Sequence, residues 1–84
     1  EKIVLVDFYA TWCNPCKILS PIVENFASDR EDVKVVKIDV DENIDIADEY
    51  QVYSIPTLVV IENGIETNRA VGVISKEEIA DLVK

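Results

Sequence analysis

The sequence of 84 residues predicts an α/β sandwich built on a four-stranded mixed sheet, and three observations carry that prediction. Short apolar runs of strand length alternate with stretches whose apolar residues recur at helical spacing. Asn63-Gly64 separates two β-rich runs, which marks a hairpin, because a type I′ turn needs positive φ at both central positions. Ser75 followed by Glu78 forms a capping box ahead of a last amphipathic stretch.

The elements follow in order. Residues 3–9, IVLVDFY, are apolar on both faces except for Asp7 and are bounded by Glu1 and Lys2, as expected of a central strand covered on both sides. Cys16, Leu19, Val23 and Phe26 recur at helical spacing and predict a helix over 14–28. Pro21 falls inside it and should kink rather than end it, since the apolar stripe continues. Residues 33–40, VKVVKIDV, are a β-branched run and a second strand. Ile44, Ala47 and Tyr50 suggest a short helix, and 57–61 and 65–71 supply the hairpin strands. Ile79, Leu82 and Val83 form the apolar face of the last helix. The order is strand, helix, strand, helix, strand, strand, helix, with the first two strands made parallel by a right-handed crossover. No repeat or interdomain linker interrupts it, so one domain over 1–84 is expected.

Hydrophobic content of 49% and charged content of 30% are those of a globular chain with an adequate core. The longest apolar run, residues 3–6, is far short of the roughly 20 residues that span a bilayer. No basic and apolar leader precedes it, so no secretory signal is expected. The formal net charge of −9 repels phosphate backbones and anionic lipid heads, which argues against nucleic acid and membranes as partners. The 2 cysteines cannot build the multiple-bridge framework of small secreted domains. A single close pair points to chemistry instead.

That pair lies in FYATWCNPCK, residues 8–17, beside the single tryptophan. Cys13 follows a strand and opens a helix, so its sulfur faces unpaired backbone N–H groups and the positive end of the helix dipole. Both favour the nucleophilic thiolate. In a regular helix the Cβ atoms of Cys13 and Cys16 would be about 5–6 Å apart, and a disulfide wants roughly 3.5–4.5 Å. A small distortion of the first turn therefore closes or opens the bridge. Pro15 restricts the turn, and its missing N–H is tolerated early in a helix. A zinc site would need about four ligands, and the chain has no second pair and no histidine. A structural bridge across so short a loop gains little from loop entropy. Two inert thiols would leave the flanking Trp12 and Pro15 without an explanation.

With these residues in view, the sequence resembles the thioredoxin family. The stretch VLVDFYATWCNPCK is similar to the family's strand, active site and helix. The similarity continues through Pro21, VVKIDVDEN, SIPTL, the Glu62-Asn63-Gly64 hairpin and Val71-Gly72. The resemblance implies a three-layer sandwich with helices on both faces, and dithiol–disulfide exchange with protein substrates. Two departures are visible: Asn14 stands where the family usually has glycine, and the chain starts at the family's second strand. A version without the usual first strand and helix is therefore expected, with one sheet edge and one core face less protected.

The resemblance also assigns supporting roles. It places Asp7 beneath Cys16, where the carboxylate would take the thiol's proton. By its residues alone, Asp7 reads more simply as a strand-end aspartate reaching solvent or a lysine. Lys37 is implied to lie near Asp7, against the alternative of an ordinary solvent-facing lysine. Ile55-Pro56-Thr57 resembles a cis-proline loop facing the cysteines, with the Ile55 backbone offered to an extended substrate segment. Trp12, Asn14, Pro15 and the turn through Val71, Gly72 and Val73 would complete a shallow patch for substrate. Packing in the core is the alternative for Trp12. Asp39, Asp41, Asn43 and Asp45 mimic the start of a calcium loop, but Ile44 and Tyr50 stand where glycine and glutamate are needed. An acidic turn, with Asp or Asn capping the next helix, accounts for the same letters.

The sequence thus predicts a protein disulfide reductase of the cytoplasm, acting in electron transport and redox homeostasis as a monomer. Cys13 is the expected attacking thiol, and Cys16 the less accessible, resolving one. No cofactor beyond the Cys13-Cys16 disulfide is expected, and electrons would come from a separate thioredoxin-reductase-type donor. An oxidase or isomerase module, or a docking module without turnover, are the alternatives.

Overall fold

A computed structural model describes residues 3–84. The strand boundary expected at Glu1 and Lys2 lies outside the described residues. The elements are β1 (Ile3–Tyr9), α1 (Asn14–Ser28), β2 (Val33–Asp39), α2 (Ile44–Glu49), β3 (Thr57–Glu62), β4 (Ile65–Val71) and α3 (Lys76–Leu82). They form a 4-stranded sheet in the order β2-β1-β3-β4. β1 runs parallel to β2 and antiparallel to β3, and β3 runs antiparallel to β4, so the sheet is mixed as expected.

Alternation along β1 explains the layers. Leu5 points to one face, where it packs with Leu58 and Val60 of β3, Leu19, Val23 and Phe26 of α1, and Ile79 of α3. Val6 and Phe8 point to the other, against Val59, Ile38 and the α2-side residues Tyr50 and Val52. α1 and α3 share one face and α2 covers the opposite one. Burying each such Leu, Val or Phe contributes about 1.5–3 kcal/mol. The strand without a polar face in sequence is thus the strand covered on both sides.

The predicted punctuation is present. Asn63 and Gly64 have φ of 53° and 78°, as a type I′ turn requires. Ser75 accepts from the Glu78 N–H at 3.1 Å, and Glu78 accepts from the Ser75 N–H at 2.9 Å. α1 runs through Pro21 as one helix. Three details differ from expectation. β2 stops at Asp39, although the Val40 N–H still donates to the Tyr9 carbonyl at 2.9 Å. Asn43 occupies the N-cap of α2 without capping it, because its side chain donates to the Asp39 carbonyl at 3.0 Å instead. Ile44, read as part of the core face of α2, is exposed; Ala47 is the residue that α2 buries.

Candidate active site

The site sits where β1 ends and α1 begins. Cys13 is the N-cap of α1, with extended backbone angles (φ −90°, ψ 111°). Its Sγ accepts the Cys16 backbone N–H at 3.2 Å, in the way a cap oxygen would. Pro15 occupies the first turn, where no intrahelical donor is lost. The two cysteines are joined in a disulfide with Cα atoms 5.3 Å apart. The first turn of α1 therefore accommodates the closed bridge. Asn14 and Pro15 are both exposed.

The expected difference in accessibility between the cysteines is not found. Cys13 is 4% exposed and Cys16 5%, because Ala10, Tyr9, Val40 and Ile55 pack around the bridge. What separates the two sulfurs is their surroundings. Cys13 Sγ has the helix-terminal N–H and lies 4.0 Å from the Ile55 carbonyl oxygen. Cys16 instead lines a hollow of about 240 Å³ below the bridge, shared with Asp7, Ser20, Lys17 and Lys37.

Asp7 is buried, at 2% exposure, and its Oδ1 has no hydrogen-bond partner among the described residues. Solvent-facing aspartate, the simpler reading of the letters, is therefore excluded. Burial pushes its carboxyl above the ordinary range, and the positive charge of Lys37 offsets part of that rise. Lys37 is the Cα partner of Asp7 in the parallel β1–β2 pair. Its Nζ donates to Ser20 Oγ at 2.7 Å and lies 5.2 Å from the centre of the Tyr9 ring.

The facing loop is also in place. The Ile55–Pro56 peptide bond is cis. Thr57 Oγ1 donates to the Ser54 carbonyl at 2.6 Å. The N–H of Gly72, whose φ of +95° few other residues adopt, donates to the Pro56 carbonyl at 2.8 Å. Val71 and Val73 on either side of Gly72 are exposed. Trp12 is 67% exposed, and its Nε1 donates to Asp41 Oδ2 at 2.7 Å, so it is a surface residue held in one orientation.

Of the residues expected at the site, Ile55 packs beside the bridge, Asp7 and Lys37 share the hollow with Cys16, Gly72 is joined to Pro56, and Trp12, Asn14 and Pro15 are exposed. Sequence reasoning missed Ser20, Tyr9 and Asp41. Ser20 was within reach of it: four residues after Cys16, it lies on the same face of α1. Asp41 belongs by its letters to the acidic turn, where its N–H donates to Asp39 Oδ1 at 2.9 Å. The described residues contain no group of three or more His, Cys, Asp or Glu able to hold a metal, and no helix long and apolar enough to cross a membrane.

Comparison with known proteins agrees with this geometry. The Thioredoxin family model matches residues 1–84. A thioredoxin of Mycoplasmoides gallisepticum is 47% identical over 84 residues, covering 100% of this chain and 84% of that protein. A thioredoxin of Mycoplasma genitalium is 48% identical over 82 residues, covering 98% and 80%. The solved structure of a mutant thioredoxin from Halobacterium salinarum superimposes with a TM-score of 0.92 at 43% identity, covering 99% of this chain and 73% of that one. Fold, bridged cysteines and sequence agree along the whole length: the chain belongs to the thioredoxin family and is a dithiol–disulfide oxidoreductase.

Proposed function

We infer that the protein works as a reductase of disulfides in other proteins, as a single domain and a monomer, in the cytoplasm. In the reduced protein, the Cys13 thiolate attacks one sulfur of a substrate disulfide. A Cys13–substrate disulfide forms and the other substrate sulfur leaves as thiolate. Cys16 then loses its proton to Asp7 and attacks Cys13 Sγ. The Cys13–Cys16 bridge closes and the second substrate sulfur leaves, so two electrons have passed to the substrate. A separate thioredoxin-reductase-type enzyme would return two electrons to the bridge, with no bound cofactor.

The observation that carries this reading is that Cys16 and an unpartnered, buried Asp7 line the same hollow. A carboxylate whose burial raises its proton affinity is a better acceptor for a thiol proton than one in water. The charge of Lys37 offsets part of that rise and so favours release of the proton. On the outer side, the Ile55 backbone would pair with an extended substrate segment beside cis-Pro56. Trp12, Val71, Gly72 and Val73 would seat its apolar side chains, with Asn14 and Pro15 at the rim.

The direction of transfer follows from what stabilises the Cys13 thiolate. One backbone N–H and the end of a helix are moderate help, and neither Asn14 nor Pro15 adds charge. The reduced form is therefore not strongly favoured, and the protein should donate electrons. The test is reduction of a disulfide-bonded protein with a regenerating dithiol. Acceleration over the dithiol alone is expected; its absence would overturn the reading. Equilibration with a thiol–disulfide couple of known potential checks the direction. A potential as oxidising as that of disulfide isomerases, about −180 mV, would assign it to the oxidase and isomerase class.

A further inference from the structure

We propose that Ser20 is a positioning residue: it holds the Lys37 ammonium at the mouth of the hollow, short of Asp7, and so sets how readily Asp7 takes up and releases a proton. The inference rests on the reading of Asp7 as the acceptor for the Cys16 proton.

The geometry is unusual for a lysine and an aspartate paired across a parallel ladder. Lys37 and Asp7 are direct Cα partners, and their side chains line the same hollow on the α1 face of the sheet. A direct ion pair would satisfy the orphaned Asp7 Oδ1 and offset part of the desolvation of its charged form. Instead the ammonium donates to Ser20 Oγ at 2.7 Å and rests over the Tyr9 ring, 5.2 Å from its centre. The Ser20 hydroxyl donates its own proton to Glu24 Oε2 at 3.4 Å, which leaves its lone pairs to Lys37. Ser20 and Glu24 are one helical turn apart, so α1 fixes this acceptor relative to the sheet.

The charged and titratable groups around the hollow are few. Asp7 and Tyr9 come from β1 and Lys37 from β2. Cys16, Lys17 and Glu24 come from α1, and the β3 residue opposite Asp7 is the apolar Leu58. Lys37 is therefore the cation whose position relative to Asp7 matters most. Held by Ser20, it lends Asp7 part of its charge without a hydrogen bond. Released, it has one unsatisfied buried acceptor within its own ladder pair, Asp7 Oδ1.

The test follows the Asp7 carboxyl by NMR across a pH titration of the oxidised protein. Four chains are compared: wild type, Ser20→Ala, Lys37→Met and the double variant. Ser20→Ala lets the ammonium close on Asp7, so the proton affinity of Asp7 should fall about tenfold or more. Lys37→Met should raise it, and adding Ser20→Ala to Lys37→Met should change nothing further. Ser20→Thr keeps the hydroxyl and should titrate as wild type does. An unmoved midpoint in Ser20→Ala, or the same shift with and without Lys37, overturns the proposal. Should the midpoint move as expected while mixed-disulfide resolution keeps its wild-type pH profile, the positioning role stands and the assignment of Asp7 as acceptor falls.

Discussion

Leu5 and Asp7 stand two residues apart on the same face of the same strand, and both are buried, yet they inhabit opposite ends of the molecule in chemical terms. Around Leu5 the space is filled by Leu19, Val23, Phe26, Leu58 and Ile79. Around Asp7 there is a hollow of about 240 Å³, an unpartnered carboxylate oxygen and the underside of the disulfide. The first end holds the fold together by close packing. The second is left open, with a buried, unpartnered carboxylate lining the same hollow as Cys16. One strand thus supplies both a packed core residue and the buried carboxylate of the hollow, with a single side chain of offset between the two.

The largest effects come from removing the chemistry outright. Cys16→Ser should leave Cys13 able to attack with nothing to release the substrate, so covalent adducts should accumulate on a non-reducing gel. Cys13→Ser should capture little, because Cys16 has no helix-terminal N–H aimed at its sulfur. Since both residues are equally covered, this pair tests electrostatics and not exposure; equal trapping by the two would mean the roles are wrongly assigned.

Leu5→Ala breaks the filled end. It should cost about 2–5 kcal/mol, seen as a lower urea midpoint, with turnover per folded molecule unchanged. A loss of turnover without a loss of stability would show that the two ends are not separable.

Asp7→Asn acts on the hollow end with the opposite sign. The folded carboxyl binds its proton more tightly than the unfolded one. From the unfolded value of about 3.9 upward, the folded state therefore holds a proton that the unfolded chain has lost, and stability falls as pH rises through the folded pKa. Above that value the penalty is complete and constant. The amide has no charge to desolvate, so the variant should be more stable at neutral pH, by about 1.4 kcal/mol for every tenfold by which burial raises the proton affinity of the carboxyl. Its stability should also lack the wild-type decline above pH ~4. Denaturant midpoints across the pH range check both.

Trp12→Ala should have the smallest effect. The indole is largely exposed and tied to Asp41, so stability should change by less than about 0.5 kcal/mol. Its loss should raise KM for a protein substrate while leaving the reaction with a small disulfide nearly intact. Equal losses for both substrates would place Trp12 in the chemistry and not in docking.

The filled end was legible in the sequence almost residue by residue. Cys16, Leu19, Val23 and Phe26 have the period of a helix, and a strand without a polar face has to be covered twice. The turns were legible because few residues adopt positive φ, as at Asn63 and Gly64. The hollow end was legible only in part. Asp7 among apolar letters signals something unusual, but whether it meets water, a lysine or an empty space depends on β2 and α1. Only the resemblance pointed to the answer. Ile44 misled because an apolar residue at helical spacing reads as core even where the helix is six residues long and exposes one side. Ser20 offered only its spacing from Cys16, since a helix serine is usually just a solvated residue; its meaning comes from Lys37, on another element.

The claim at the centre of this account is that the buried carboxylate beneath the bridge receives the proton of the resolving thiol. Its most direct test is single-turnover release of substrate from the Cys13 mixed disulfide, followed against pH in wild type and Asp7→Asn. The account predicts slower release from Asp7→Asn, with the wild-type rate rising as Asp7 ionises and that inflection absent from the variant. Release at the wild-type rate, with the same pH profile, would contradict it.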